Sequence, residues 1–254
     1  MVLPLFDAVI GIVITCILAA AAIRAEALTL LAGLVAIGFG SFIVVVGGFA
    51  YLALLVLFVV ASVLATRYRF EDKRRQNVQE GTHGERGVTN VLAHILTPTG
   101  LLAFDWRFPN ILPGSTTAFL YASALAFGGA DTFASEFGVL TGRARSVLSG
   151  KPVTPGTNGG VSALGEAWAF VGAFTTALVG AALFDVFSQP TPAIGTLLVG
   201  VTIAGFLGCQ VDSILGETLE NRHWLTKGGT NFVAMLITVG IAWGLLQALG
   251  AGPG

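Results

Sequence analysis

Long apolar runs, separated by short polar segments, dominate the chain. A helix that crosses a bilayer needs about 20 predominantly apolar residues. Runs of that kind occupy 6–23, 27–46, 48–66, 87–104, 115–133, 161–184, 193–215 and 231–249. The pattern predicts an all-α, polytopic membrane helix bundle of about eight transmembrane helices. It forms one membrane domain over 1–254, with N-terminal spans over 1–66 and helical hairpins over 81–249. The fourth run is the most polar, because Asn90, His94 and Pro98 interrupt it. The second and third are separated only by Gly47 and Gly48, which predicts a tight turn at the membrane face. The first run has no basic leader and no obvious small-residue cleavage site, so it reads as a retained span and not a signal peptide.

Composition agrees with this pattern. The chain is 54% hydrophobic and 11% charged, with a mean hydropathy of +0.83. Soluble domains carry roughly 25% charged residues. A net charge of -1 gives no reason to expect a nucleic-acid partner. Cys16 and Cys209 both lie inside apolar runs and read as buried hydrophobes, not as a disulfide or metal framework.

The basic residues sort the loops. With eight spans, one set of loops holds Arg24, Arg67, Arg69, Lys73, Arg74, Arg75, Arg86, Arg143, Arg145, Lys151, Arg222 and Lys227, and the opposite set holds only Arg107. The positive-inside rule makes the first set cytoplasmic. Both termini are then expected outside, in a multi-pass protein of the cell (inner) membrane. Trp106 and Phe108 read as interface anchors. The stretch "RYRFEDKRRQ" reads as a topology signal in contact with anionic membrane lipids.

Two acidic stretches stand out against this apolar background. "GGADTFASEFG" carries Asp131 and Glu136, and "CQVDSILGETLE" carries Asp212 and Glu217. Both have the spacing D-[ST]-x3-E, and both close an apolar run at the same side of the membrane. Ionisable residues within spans are costly and mark functional sites by default. Glu166 is a weaker fifth candidate. Each acidic stretch is followed by a basic loop and a Gly- and Asn-containing turn that opens the next span: "VTPGTNGGVSALG" and "TKGGTNFV". The turn "GTHGERGVTN" opens the fourth span in the same way. Three hairpins therefore share one plan, and they repeat in parallel.

A helix N-terminus attracts phosphate through free N–H groups and its dipole. Glycine allows close approach and positive φ. Arg86, Asn90, Lys151, Pro155, Gly156, Thr157, Asn158, Gly159, Gly160, Lys227, Gly228, Gly229, Thr230 and Asn231 are therefore candidate nucleotide- or phosphate-binding residues, with Arg222 nearby. Carboxylates beside a polyphosphate repel it unless a cation lies between them. Asp131, Glu136, Asp212 and Glu217 are thus the candidate catalytic and metal-ligating residues, with Mg2+ as the cofactor. His94 reads as a satisfied core histidine, and His83 and His223 as solvated loop residues.

"GERGVTNVLAH", "GADTFASEFGVLTGRARSVLSGKPVTPGTNGGVSALG" and "GFLGCQVDSILGETLE" followed by "TKGGTN" resemble a family of integral membrane proteins. That family includes the plant phytyl-phosphate kinase of vitamin E salvage, and it is more distantly similar to dolichol kinases and CDP-lipid synthases. The resemblance covers about residues 81–231. It implies phosphoryl transfer from CTP or another nucleoside triphosphate to an isoprenoid lipid phosphate, at the cytoplasmic face with Mg2+. By position, the four acids match the family's acidic motifs, and residues 156–160 match its Gly-rich loop. Phe232 departs from the family, which has an acid after Thr-Asn. A CDP-lipid synthase, a lipid-alcohol kinase and a transporter are the alternatives; the phosphate-type turns weigh against the last.

Overall fold

A computed structural model describes residues 3–250. It opens with α1 (Leu5–Arg24), α2 (Leu30–Gly47) and α3 (Phe49–Arg67), followed by the short α4 (Phe70–Arg75). Five further helices complete the bundle: α5 (Val88–Arg107), α6 (Gly114–Gly138), α7 (Ala163–Val186), α8 (Ile194–Leu215) and α9 (Lys227–Ala248). The protein is thus a polytopic helical membrane protein, and each expected run coincides with one long helix apart from a few residues at the ends. Six helices among the described residues are long and apolar enough to cross a membrane: α1, α2, α3, α7, α8 and α9. α5 and α6 are as long but more polar, for reasons that lie in the packing.

α6 is the central helix. It packs against α3, α5, α7, α8 and α9, and it is buried almost without a break from Thr116 to Ala130. A helix enclosed by protein needs no lipid-facing apolar stripe, so Gly, Ala, Ser and Thr occupy most of it. In a membrane, where lipid is as apolar as leucine, close packing of small residues drives helix association. α6 and α7 show this at two places. A Cβ on Gly172 would strike the Gly129 carbonyl, and one on Gly138 would come within 3.1 Å of the Gly165 Cα. α6 also runs five residues past the expected end at 133, to Gly138. Asp131 and Glu136 are therefore inside a helix, not in a loop after it.

The two ends of the bundle differ. At one end α1 meets α2, α3, α6 and α8 finish, and α5, α7 and α9 begin. Every Lys and Arg except Arg107 lies at this basic end. The Arg67 guanidinium donates to the Ala25 carbonyl at 2.5 Å, and Leu28 pairs with Arg86, tying three connections together. Arg107 closes α5 at the other end, over the ring of Phe108 and beside the exposed Trp106.

The connection from α6 to α7 is more ordered than the expected glycine turn. β1 (Ala144–Ser146) runs antiparallel to β2 (Pro152–Val153) on one side and β3 (Gly160–Val161) on the other. Arg145 sits opposite Pro152 in one pair and Val161 in the other. α8 also continues past Leu215 as a π-helical turn, Gly216–Glu220.

Candidate functional site

A cavity of about 380 Å³ lies at the basic end, among α5, α6, α8, α9 and the segment 155–162. α6 supplies Asp131 and α8 supplies Asp212, and both carboxylates line it. Asn231, in the first turns of α9, donates its side-chain amide to Asp131 at 3.3 Å. Oδ1 of Asp212 is buried without a partner. Opposite charge comes from Arg86 and Lys227, and Pro155, Gly156, Thr157, Asn158, Gly159 and Gly160 line the cavity together.

The glutamates of the two D-[ST]-x3-E stretches do a different job. Glu136 borders the cavity, but both its oxygens are engaged. Thr66 donates to Oε1 at 2.7 Å, and the Lys73 ammonium donates to Oε2 at 2.7 Å. Lys73, fully buried, also donates to the carbonyls of Ala65 and Thr66. Glu217 does not line the cavity. It accepts from the Ser146 hydroxyl at 2.5 Å and from the Leu148 backbone N–H at 3.2 Å, holding the β1 connection against the π-helical turn. In each copy the aspartate faces the cavity and the glutamate anchors a neighbouring element. The Lys73 pair also corrects the reading of "RYRFEDKRRQ" as lipid contact throughout, because this one cation turns inward.

A hydrogen-bonded chain runs along one wall. Lys227 donates to Glu80 at 3.0 Å, and Asn90 donates to the other Glu80 oxygen at 3.5 Å. Arg86 donates to Asn90 at 2.8 Å and to Thr66 at 3.3 Å, and Thr66 continues to Glu136. Burial tends to raise the Glu80 carboxyl, but the Lys227 ammonium beside it outweighs this and holds it below the ordinary value. Burial pulls the Arg86 guanidinium down, against the carboxylates of Glu136, Glu80 and Asp131. Nε of Arg86 is a buried donor with no partner.

Some expected phosphate-binding residues lie elsewhere. Lys151 is exposed in the turn between β1 and β2, outside the cavity. Gly228, Gly229 and Thr230 form the first turn of α9 and do not line it either. Gly228 packs on Thr89, and the Gly229 N–H is taken by the capping Thr226 hydroxyl at 3.2 Å. Arg222 is exposed beside Trp224. Ser213, the hydroxyl residue of the second D-[ST]-x3-E stretch, lines the cavity, as do Glu80 and Glu220, which the sequence did not single out. Glu220 follows Asp212 at a helical spacing that the π turn distorts. Glu80 sits in a loop without periodicity, where only a fold brings it to Lys227.

These positions narrow the expected four-carboxylate metal set. Among the described residues no group of three or more His, Cys, Asp or Glu is placed to hold a metal ion. Mg2+ usually takes one or two carboxylates and completes its shell with water and substrate phosphate. Asp131 and Asp212, with an oxygen left free, fit that use; Glu136 and Glu217 are occupied by protein donors.

Fold and cavity together define a polytopic helical membrane protein with a charged pocket at one end of its bundle. The chain belongs to the integral membrane protein family DUF92, whose profile matches residues 13–239. It is 30% identical to the uncharacterized membrane protein MJ0933 of Methanocaldococcus jannaschii over 75% of this chain and 74% of that one. It is 29% identical to Protein PGR of Arabidopsis thaliana, over 92% and 94% of the two chains. The uncharacterized membrane protein sll0875 of Synechocystis is 28% identical, over 77% and 73%. No solved structure matches.

Proposed function

We propose that the protein transfers a phosphoryl group from a nucleoside triphosphate, CTP by its sequence resemblance, to an isoprenyl monophosphate such as phytyl phosphate. One observation carries this reading. A single cavity joins two aspartates, two cations and the glycine-rich segment 155–160, and its walls hold both an unpartnered donor, Arg86 Nε, and an unpartnered acceptor, Asp212 Oδ1. Buried polar groups are nearly always paired, so orphans of both signs call for a ligand with both anionic and cationic character. A metal–nucleotide complex has both.

In this reaction an oxygen of the acceptor monophosphate attacks the γ-phosphorus. The bond from that phosphorus to the β–γ bridging oxygen breaks, and the nucleoside diphosphate leaves with the electron pair. The acceptor is already anionic near neutral pH, so no general base is needed. Catalysis is then positioning and charge neutralisation. Arg86 and Lys227 oppose the phosphate charge, and the segment 155–160 walls the triphosphate. Asp131 and Asp212 would hold Mg2+, which neutralises charge between carboxylates and phosphates. Asn231 orients Asp131. The positive-inside rule assigns the basic end, and so the nucleotide, to the cytoplasmic face of the membrane.

The test uses purified protein in nanodiscs with α-labelled or γ-labelled CTP and phytyl phosphate. Transfer of the γ-label, dependent on Mg2+, is expected. Asp131→Asn and Asp212→Asn should each lower turnover about 100-fold or more, equivalent to about 2.7 kcal/mol, while remaining folded. Transfer of the α-label to lipid would replace this reaction by that of a CDP-lipid synthase. Unchanged turnover in both variants would remove the aspartates from the site.

A further inference from the structure

A second cavity, of about 370 Å³, lies among α1, α2, α3 and α5. Its walls are mostly aliphatic, with Leu18, Ala36, Leu52, Leu55 and Val59 among them, and Phe58 also lines it. Apolar clefts on a membrane bundle are ordinarily filled by bulk lipid. This one differs in where it stops: Asn90 and His94 line both it and the charged cavity. The aliphatic groove and the charged cavity therefore share two side chains in their walls.

His94 is the unusual member of that pair. Its Nδ1 lies 2.9 Å from the Asn90 carbonyl, which can only accept, so Nδ1 carries the hydrogen. That leaves Nε2 facing outward from this bond, buried and without a partner. The ring is held in place by Phe58, at a centroid separation of 5.7 Å, and by Gly128, where a Cβ would come within 3.1 Å of it. The expected core histidine is thus buried but satisfied at only one of its two nitrogens, and it lies in the wall that the apolar and charged cavities share. A buried unmade hydrogen bond costs free energy and signals a missing partner.

We propose that the two cavities form one site for a single-chain amphiphile, with its hydrocarbon chain in the aliphatic groove and an oxygen of its head group on His94 Nε2. The proposal rests on the lipid-acceptor reading above and adds where the lipid lies and which residue meets its head. The shared chemistry is a head-group oxygen. A hydroxyl or a monoprotonated phosphate would donate to Nε2 of the neutral ring, and a phosphate oxygen would accept from the charged one.

The experiment places full-length protein in phosphatidylglycerol nanodiscs, without nucleotide, with an isoprenoid monophosphate carrying a diazirine at its chain end. Crosslinks are expected in α2 and α3 near Ala36 and Val59, displaced by excess unlabelled isoprenoid monophosphate. Ala36→Trp and Val59→Trp, which fill the groove, should cut crosslinking about tenfold, whereas Val199→Trp, exposed on α8, should not. His94→Leu should raise the lipid concentration for half-maximal labelling about tenfold, with His94→Gln recovering part of it. Repeating the titration with the corresponding alcohol distinguishes the two head groups. Labelling that persists under excess isoprenoid, or that spreads over all lipid-facing helices, would mean bulk lipid only and overturn the proposal. Turnover with γ-labelled CTP is scored separately. Turnover with crosslinks outside the groove overturns the groove and keeps phosphoryl transfer; groove-specific crosslinks without turnover keep the groove and overturn phosphoryl transfer.

Discussion

Lys73 has no exposed surface, and among the described residues its only carboxylate partner is Glu136. Two backbone carbonyls and one carboxylate take up its three hydrogens, and Thr66 takes the remaining carboxylate oxygen. A buried pair of this kind contributes little relative to apolar packing, but removing one partner leaves an uncompensated charge. Lys73→Met is expected to cost about 3–5 kcal/mol in unfolding measured in mixed micelles. Lys73→Met with Glu136→Gln should recover most of that loss, because no charge is then stranded. Additive losses would show that the two side chains are not coupled. Turnover in the stable double variant checks the division of labour, since an anchoring glutamate is dispensable once stability returns and a metal ligand is not. At this scale the sequence showed which positions were unusual. It did not separate Asp131 and Asp212, which face the cavity, from Glu136 and Glu217, which anchor elements. That separation depends on partners 70 and 71 residues away in the chain.

Among the elements, the segment from Gly142 to Ser162 was most changed by folding. A glycine-rich turn was expected to present N–H groups to phosphate. The turn at 155–159 lines the cavity, and it is carried by a small sheet that Glu217 clamps to the end of α8. Gly159 has φ +75°, and a Cβ there would press on Glu217 and lie 2.9 Å from the Ser213 carbonyl. Gly142 has φ +65° but open space around it. Gly142→Ala should therefore show the left-handed strain alone, about 1 kcal/mol. Gly159→Ala should lose that plus about 1–3 kcal/mol of packing. Melting temperature and CTP affinity are expected to fall together at Gly159, since a loop pushed off α8 no longer walls the cavity. Full CTP affinity with a lowered melting temperature would mean that the loop is a hinge and holds no phosphate. The helices themselves were legible, to within a few residues at each end, because a run of apolar residues about a bilayer long has few other stable states. The strands were not, since two- and three-residue pairs leave no periodic signal.

For the molecule as a whole, topology links the site to its substrate. In a variant without native cysteines, Lys151→Cys should resist a membrane-impermeant maleimide in intact cells and react after lysis, while Asn110→Cys should react in both. Labelling of position 151 from outside would put the charged cavity away from cytoplasmic nucleotide and remove the proposed donor. The apolar runs and the one-sided distribution of Lys and Arg determined the number of long helices and grouped their ends, because both follow from local transfer costs that each segment meets on its own. Folding alone decided that α6 would be enclosed and therefore free to be polar, that Glu80 would reach Lys227 across 147 residues, and that His94 would stand between two cavities. Those outcomes depend on which helices touch, and contact between distant segments leaves no mark on the periodicity of either.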